Sequence, residues 1–195
     1  MTEKISCPYC KAAFRERPAP KIQCPKCGNT ILIRKGSPLT QEEAGIEDWV
    51  KRVEYLGVTV SYFREQWKAA RKELGQSPEL NDVAWRILNN LLLTRRRDKS
   101  AVYLEMAQIA RAEGKNPNPY LIEVNREILH SFQADPAVSR VTVHHVRDRL
   151  VCPDCLALED REWTIQEALA NPPIPNACTS AAGCRCYYRP IKDFP

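Results

Sequence analysis

Between residues 40 and 136 the apolar side chains recur at spacings of three and four, the period that lines one face of an α-helix. Thr40-Gln41-Glu42-Glu43 has the form of a capping box and opens a segment carrying Ile46, Trp49, Val50, Val53 and Leu56. Gly57 breaks that segment. Thr59 starts the next, with Val60, Phe63, Trp67, Ala70 and Leu74 on one stripe and Gly75 as its stop. Ser77-Pro78-Glu79 supplies an N-cap, a proline at the first helical position and an acid in the first turn. Trp85, Leu88 and Leu92 follow on one side, with Ile87 and Leu91 beside them. A further helix is predicted over roughly 99–113 through Val102, Met106 and Ile109. After Asn116-Pro117-Asn118-Pro119, another runs through Leu121, Val124, Ile128 and Phe132. Faces of this kind must be buried against one another, so the pattern predicts a bundle of about four helices with a common core.

Outside this stretch the period changes. Val138 to Val146 alternates as a strand does. Thr164-Ile165-Gln166-Glu167 is a second capping box, which predicts a short helix over 165–170. Near the other end, Ile22-Gln23 and Thr30-Ile31-Leu32-Ile33 read as short strands.

Nine cysteines fall in two groups at the two ends of the chain. Residues 7–27 read Cys7-Pro8-Tyr9-Cys10, then Cys24-Pro25-Lys26-Cys27-Gly28-Asn29. Two residues between thiolates let the chain fold back as a tight knuckle, so that both sulfurs reach one ion at about 2.3 Å. Two such knuckles complete a tetrahedron, the signature of a structural zinc site. With the strands around the second knuckle, the segment resembles a zinc ribbon. No export signal favours the competing assignment to disulfides, and no βαβ pattern favours a redox pair. The second group is Cys152-Pro153-Asp154-Cys155, then Cys178, then Cys184-Arg185-Cys186. Its predicted ligands are Cys152, Cys155, Cys178 and one of Cys184 or Cys186. The last two are spaced to share one face of a strand, which leaves the choice between them open. Zinc is expected at both sites, two ions in all, with iron as the alternative at the second, since an iron–sulfur cluster also takes four thiolates.

Val151-Cys152-Pro153-Asp154-Cys155-Leu156-Ala157-Leu158, with Trp163 after it, resembles the cysteine segment that closes many phage head-morphogenesis (minor capsid) proteins. Pro172-Pro173-Ile174-Pro175 matches the proline-rich approach in that family, and Cys184-Arg185-Cys186 its ending. Here Glu159-Asp160 stands in place of the turn glycine and no histidine precedes the final Cys-Arg-Cys, a role that Cys178 can take over. The resemblance covers about 45 residues and implies a shared metal-stapled module, with a phage or prophage origin and a place in head assembly as its functional expectation.

Composition and charge narrow the classes of function. Lys and Arg number 29 against 24 Asp and Glu, a net charge of +5. The excess lies in residues 1–37, where eight basic residues face Glu3 and Glu16, while 38–136 sums to −1 and 137–195 to zero. A basic appendage of this kind suits nucleic acid, with Lys11, Arg15, Arg17, Lys21 and Lys26 as phosphate contacts; a solvated surface is the plainer account. Arg95-Arg96-Arg97 reads as a solvated turn at a helix C-terminus. His130 reads as a partly exposed capping residue late in its helix. His144 and His145 read as surface imidazoles, with a metal ligand or proton-transfer group as the alternative for one of them, and Tyr187-Tyr188 as either a base-stacking patch or part of a small core. No apolar run approaches the roughly 20 residues of a membrane-spanning helix. Neither a glycine-rich phosphate loop, a Gly-x-Ser-x-Gly elbow nor a His-Glu-x-x-His helix occurs.

The sequence therefore predicts a mainly α protein in three parts: a zinc ribbon over 1–37, a helical bundle over 38–136 and a four-thiolate α+β module over 137–195. The expected function is a non-catalytic, zinc-binding scaffold or interaction protein with a protein partner, cytoplasmic, or virion-associated if phage derived. A nucleic-acid-binding regulator that uses the ribbon is the first alternative, and a thiol-dependent enzyme the second.

Overall fold

The computed structural model describes residues 5–14, 19–94, 98–146, 151–176, 178–180 and 183–192. Among these the protein is mainly helical, with a small antiparallel sheet and a cysteine cluster towards each end. It forms two compact units, Met1–Ile87 and Leu88–Pro195.

In the first unit, β1 (Lys21–Gln23), β2 (Thr30–Arg34) and β3 (Ser37–Leu39) make a sheet with β2 in the middle. β1 and β2 lie on the two predicted pieces. β3 carries Pro38, which has no ladder donor and is tolerated because the strand is an edge. α1 (Gln41–Arg52) starts on the predicted capping box: Glu43 N–H donates to Thr40 Oγ1 at 3.0 Å, and Thr40 N–H to the Glu43 carboxylate at 2.9 Å. A single 3-10 turn, Glu54–Leu56, ends at Gly57 with φ 70°. α2 (Val60–Leu74) is capped by Thr59 and stops on Gly75 at φ 68°, as its sequence signals require. Trp49 packs against Phe63 with ring centroids 5.3 Å apart, and Phe63 against Trp67 at 6.0 Å. Leu74, the last member of the α2 stripe, is 55% exposed, because it sits in the final turn beside the stop.

α3 (Leu80–Thr94) begins later than Ser77-Pro78 suggested. Asp82 accepts the Glu79 N–H at 3.0 Å, so a carboxylate inside the first turn satisfies a donor that the predicted serine cap does not. Val83, Ala84, Ile87 and Leu88 are its fully buried side chains. Arg86 binds Glu73 of α2 through two hydrogen bonds, 2.6 and 3.0 Å, and Gln66 at 3.1 Å. The division between the units falls within α3.

The second unit holds α4 (Lys99–Ala112), α5 (Asn118–Gln133) and a sheet of β4 (Val138–His144), β5 (Glu162–Thr164) and β6 (Tyr187–Lys192) with β4 central. Two short helices, α6 (Pro153–Leu156) and α7 (Ile165–Ala170), stand on the Cys152–Cys155 knuckle and the second capping box. α5 packs against α4, α7, β4, β6 and the turn at Pro173–Asn176. These neighbours bury Leu121, Asn125 and Leu129, a line displaced by one residue from the stripe through Val124 and Ile128. One core joins Leu121, Leu129, Val141, Ile165 and Tyr188 to Cys152, Cys155 and Cys184. No helix among the described residues is long and apolar enough to cross a membrane.

Candidate metal centres

The two knuckles of the ribbon fold alike. The N–H of Lys11 donates to Cys7 O at 2.9 Å, and that of Gly28 to Cys24 O at 2.8 Å. Each turn then exits through a positive φ, 61° at Lys11 and 73° at Gly28. The second exit was legible as a glycine; the first is a lysine whose Nζ also donates to Pro8 O at 3.1 Å. An isolated bridge between Ser6 and Ala13 closes the first knuckle, and the Gln41 N–H at the start of α1 donates to Tyr9 Oη at 3.1 Å. As a result the sulfurs of Cys7, Cys10, Cys24 and Cys27 all lie within 4.8 Å of one another. Two edges of the group measure 3.8 Å (Cys7–Cys27) and 3.7 Å (Cys10–Cys24). A tetrahedron of thiolates around zinc at about 2.3 Å has edges of about 3.8 Å, so these residues fit the ion. Asn29 Nδ2 donates to Cys27 Sγ at 3.6 Å. The backbone N–H of Cys27, opposed by burial and helped by that of Lys26, brings Cys24 down to about 6, so its thiolate is available at neutral pH. Only Cys7, Cys24 and Ile31 are buried in this cluster, with Phe14, Ile22 and Ile33 half-buried around them.

The second cluster is assembled from three pieces of chain. Cys152 caps α6, its sulfur accepting the Cys155 N–H at 3.4 Å, and Cys155 lies inside that helix. Cys178 follows the proline turn, and Cys184 and Cys186 follow Gly183. Cys152 and Cys178 sulfurs are 3.8 Å apart, and those of Cys155 and Cys184 3.9 Å. The five thiols make two groups, Cys152–Cys155–Cys178 and Cys155–Cys184–Cys186, with every sulfur of a group within 4.8 Å of the others. Cys155 belongs to both. The strand expected to carry Cys184 and Cys186 begins only at Tyr187, yet both sulfurs reach Cys155 from the segment before it.

Burial pushes the Cys178 thiol up to about 11 and Cys186 to about 12, and raises Cys155 further still, with Cys152 and Cys184 adding to the effect. Cys152 goes the other way: burial opposes ionisation, but the N–H groups of Cys155 and Thr179 bring it down to about 6. Several thiolates can share so small a buried space only when a cation balances them. All nine cysteines are free thiols, and both clusters can hold a metal ion.

The other candidates separate clearly. Lys11, Lys21 and Lys26 are exposed, while Arg15, Arg17 and the run Arg95–Arg97 lie outside the described residues. His130 is exposed, with Nδ1 3.3 Å from Gln133 Oε1. His145, expected at the surface, is 7% exposed, with Nε2 3.1 Å from Glu159 Oε2. His144 of β4 is paired with Tyr187 of β6, ring centroids 5.4 Å apart. Neither imidazole joins a thiol group. Tyr188 is buried in the core and Tyr187 is exposed, because successive side chains of β6 face opposite ways. No family model, curated protein or solved structure matches this chain.

Proposed function

We propose that the protein is a non-catalytic, zinc-binding scaffold or interaction protein that holds one zinc ion in each cysteine cluster. The observation that carries this reading is the sulfur geometry, with edges of 3.7 to 3.9 Å in both clusters. Zinc held by four thiolates has no open position for an activated water, so its contribution is to staple the chain. The chain's own residues do the rest: Cys7, Cys10, Cys24 and Cys27 join two knuckles, and Cys152, Cys155 and Cys178 tie α6 to the proline turn. The resemblance of Cys152-Pro153-Asp154-Cys155 and Cys184-Arg185-Cys186 to the ending of phage minor capsid proteins supports a role in head assembly, with a protein partner and a cytoplasmic or virion location. Native mass spectrometry tests the metal part. Two zinc ions per chain are expected, and a folded, fully reduced, metal-free protein would overturn it.

A second reading is nucleic-acid binding through the ribbon, favoured by the exposure of Lys11, Lys21 and Lys26. Phosphate contacts are independent of base order and weaken steeply with salt. Four of them on duplex DNA give a log–log slope of about −3.6. Absence of binding to duplex at low salt would remove this reading and leave the protein scaffold. Thiol-dependent turnover abolished by blocking one cysteine would instead favour an enzyme.

A further inference from the structure

Resting on the reading of the C-terminal cluster as a zinc site, we propose that its fourth ligand is exchangeable: Cys184 and Cys186 alternate on the ion held by Cys152, Cys155 and Cys178. The contrast between the two clusters carries the inference. In the ribbon, four sulfurs form one mutually close group and no fifth is present. In the C-terminal cluster, Cys152, Cys155 and Cys178 form a closed triad that no fourth sulfur joins at the same 4.8 Å limit. Cys184 and Cys186 both lie within that limit of Cys155 and of each other, and Cys184 also interacts with Cys178.

The chain around them suits a short movement. Residues 183–186 precede β6 and lie outside its ladder. Gly183 anchors one end, at φ +81° and packed against Pro117, and β6 anchors the other. Two sulfurs two residues apart on a segment fixed at both ends can each swing towards Cys155 without disturbing the sheet.

The step is a ligand substitution at constant oxidation state. A bond forms between zinc and the Cys186 sulfur as that thiol gives up its proton. The zinc–Cys184 bond breaks and Cys184 takes up a proton, directly or through water. Four thiolates hold the ion before and after, and one thiol is always left over. The second site therefore keeps a spare thiol that can replace a departing ligand, whereas the ribbon site has no fifth cysteine.

Two measurements on the full chain test this. First, the protein carrying two zinc ions is treated with an alkylating reagent and the modified cysteines are mapped. One label per chain is expected, divided between Cys184 and Cys186; label confined to one of them overturns the proposal. Second, zinc is counted by native mass spectrometry in variants. Cys184→Ser and Cys186→Ser should each retain two ions, and the double variant one. Loss of an ion in either single variant, or its retention in the double variant, overturns the exchange. Cys155→Ser, which removes the sulfur common to both groups, should retain one ion. Two ions in that variant would show that Cys155 is dispensable and overturn the exchange about it, whereas a single ion in the unmodified protein would overturn the zinc assignment of this cluster itself.

Discussion

At the scale of single residues, Gly183 is the position where one methyl group matters most. Its φ is +81°, and a Cβ there would lie 2.7 Å from Pro117 Cγ and 2.9 Å from Arg111 Nη2. Backbone strain and a ring that cannot easily retreat act together, next to the ligand Cys184. Gly183→Ala should lower stability by about 1–3 kcal/mol in chemical denaturation and weaken retention of the C-terminal ion against a chelator, leaving the ribbon ion in place. Lys11 poses the opposite case. It bears a side chain at φ 61° on the knuckle exit where the second knuckle has glycine. Lys11→Gly should stabilise the zinc-loaded ribbon by up to about 1 kcal/mol, seen as slower loss of the first ion to a chelator. The same variant removes one candidate phosphate contact, so nucleic-acid affinity and zinc retention should move in opposite directions.

At the scale of elements, the ribbon and the α2–α3 pair rest on different forces. Among its described residues the ribbon has three that are buried, two of them cysteines, and it cannot fold on apolar burial alone. Cys24→Ser should therefore unfold residues 5–35 and leave most of the helical circular dichroism intact; loss of the whole helical signal would place the structural boundary elsewhere. Between α2 and α3, the Arg86 guanidinium holds the Glu73 carboxyl below its ordinary value of 4.5. A depressed carboxylate contributes stability above the unfolded value, and the contribution is lost as pH falls through the folded value. Glu73 is 61% exposed, so solvent screens the pair and the effect is small. Glu73→Gln should be less stable than the parent near pH 7, and the gap should close as pH falls from 4.5 through the folded value, as read by urea denaturation at each pH.

At the scale of the whole molecule, the two metal centres are built into unequal surroundings. Ribbon cysteines gather a small cluster of their own, whereas Cys152, Cys155 and Cys184 belong to the core that also buries Leu121 and Leu129 of α5. Removing the C-terminal ion should thus loosen α5 as well as the knuckle. In Cys155→Ser, hydrogen exchange should quicken at α5 amides, while α1 and α2 keep their protection. Charge is distributed on the same scale. Two four-thiolate zinc sites lower the formal total from +5 to about +1, so any salt-dependent binding should follow residues 1–37. A zinc-loaded fragment of that span should keep most of it.

What the sequence determined by itself was local. The capping boxes at Thr40 and Thr164, the glycine stops at Gly57 and Gly75, and the three Cys-Pro-x-Cys knuckles all formed where they were read. Each depends on side chains within a few residues of the backbone groups they satisfy, and that spacing is written in the chain. Tertiary structure alone decided that α5 buries Asn125 and Leu129 instead of Val124 and Ile128, and that β3, β5 and β6 pair at all. It also decided that Tyr188 turns inward while Tyr187 stays out, and that Cys155 is shared between Cys152 and Cys178 in one group and Cys184 and Cys186 in the other. These outcomes depend on which distant segments arrive at the same place, because strand pairing, burial and the gathering of thiols around one ion are contacts across the fold, for which spacing along the chain carries no information.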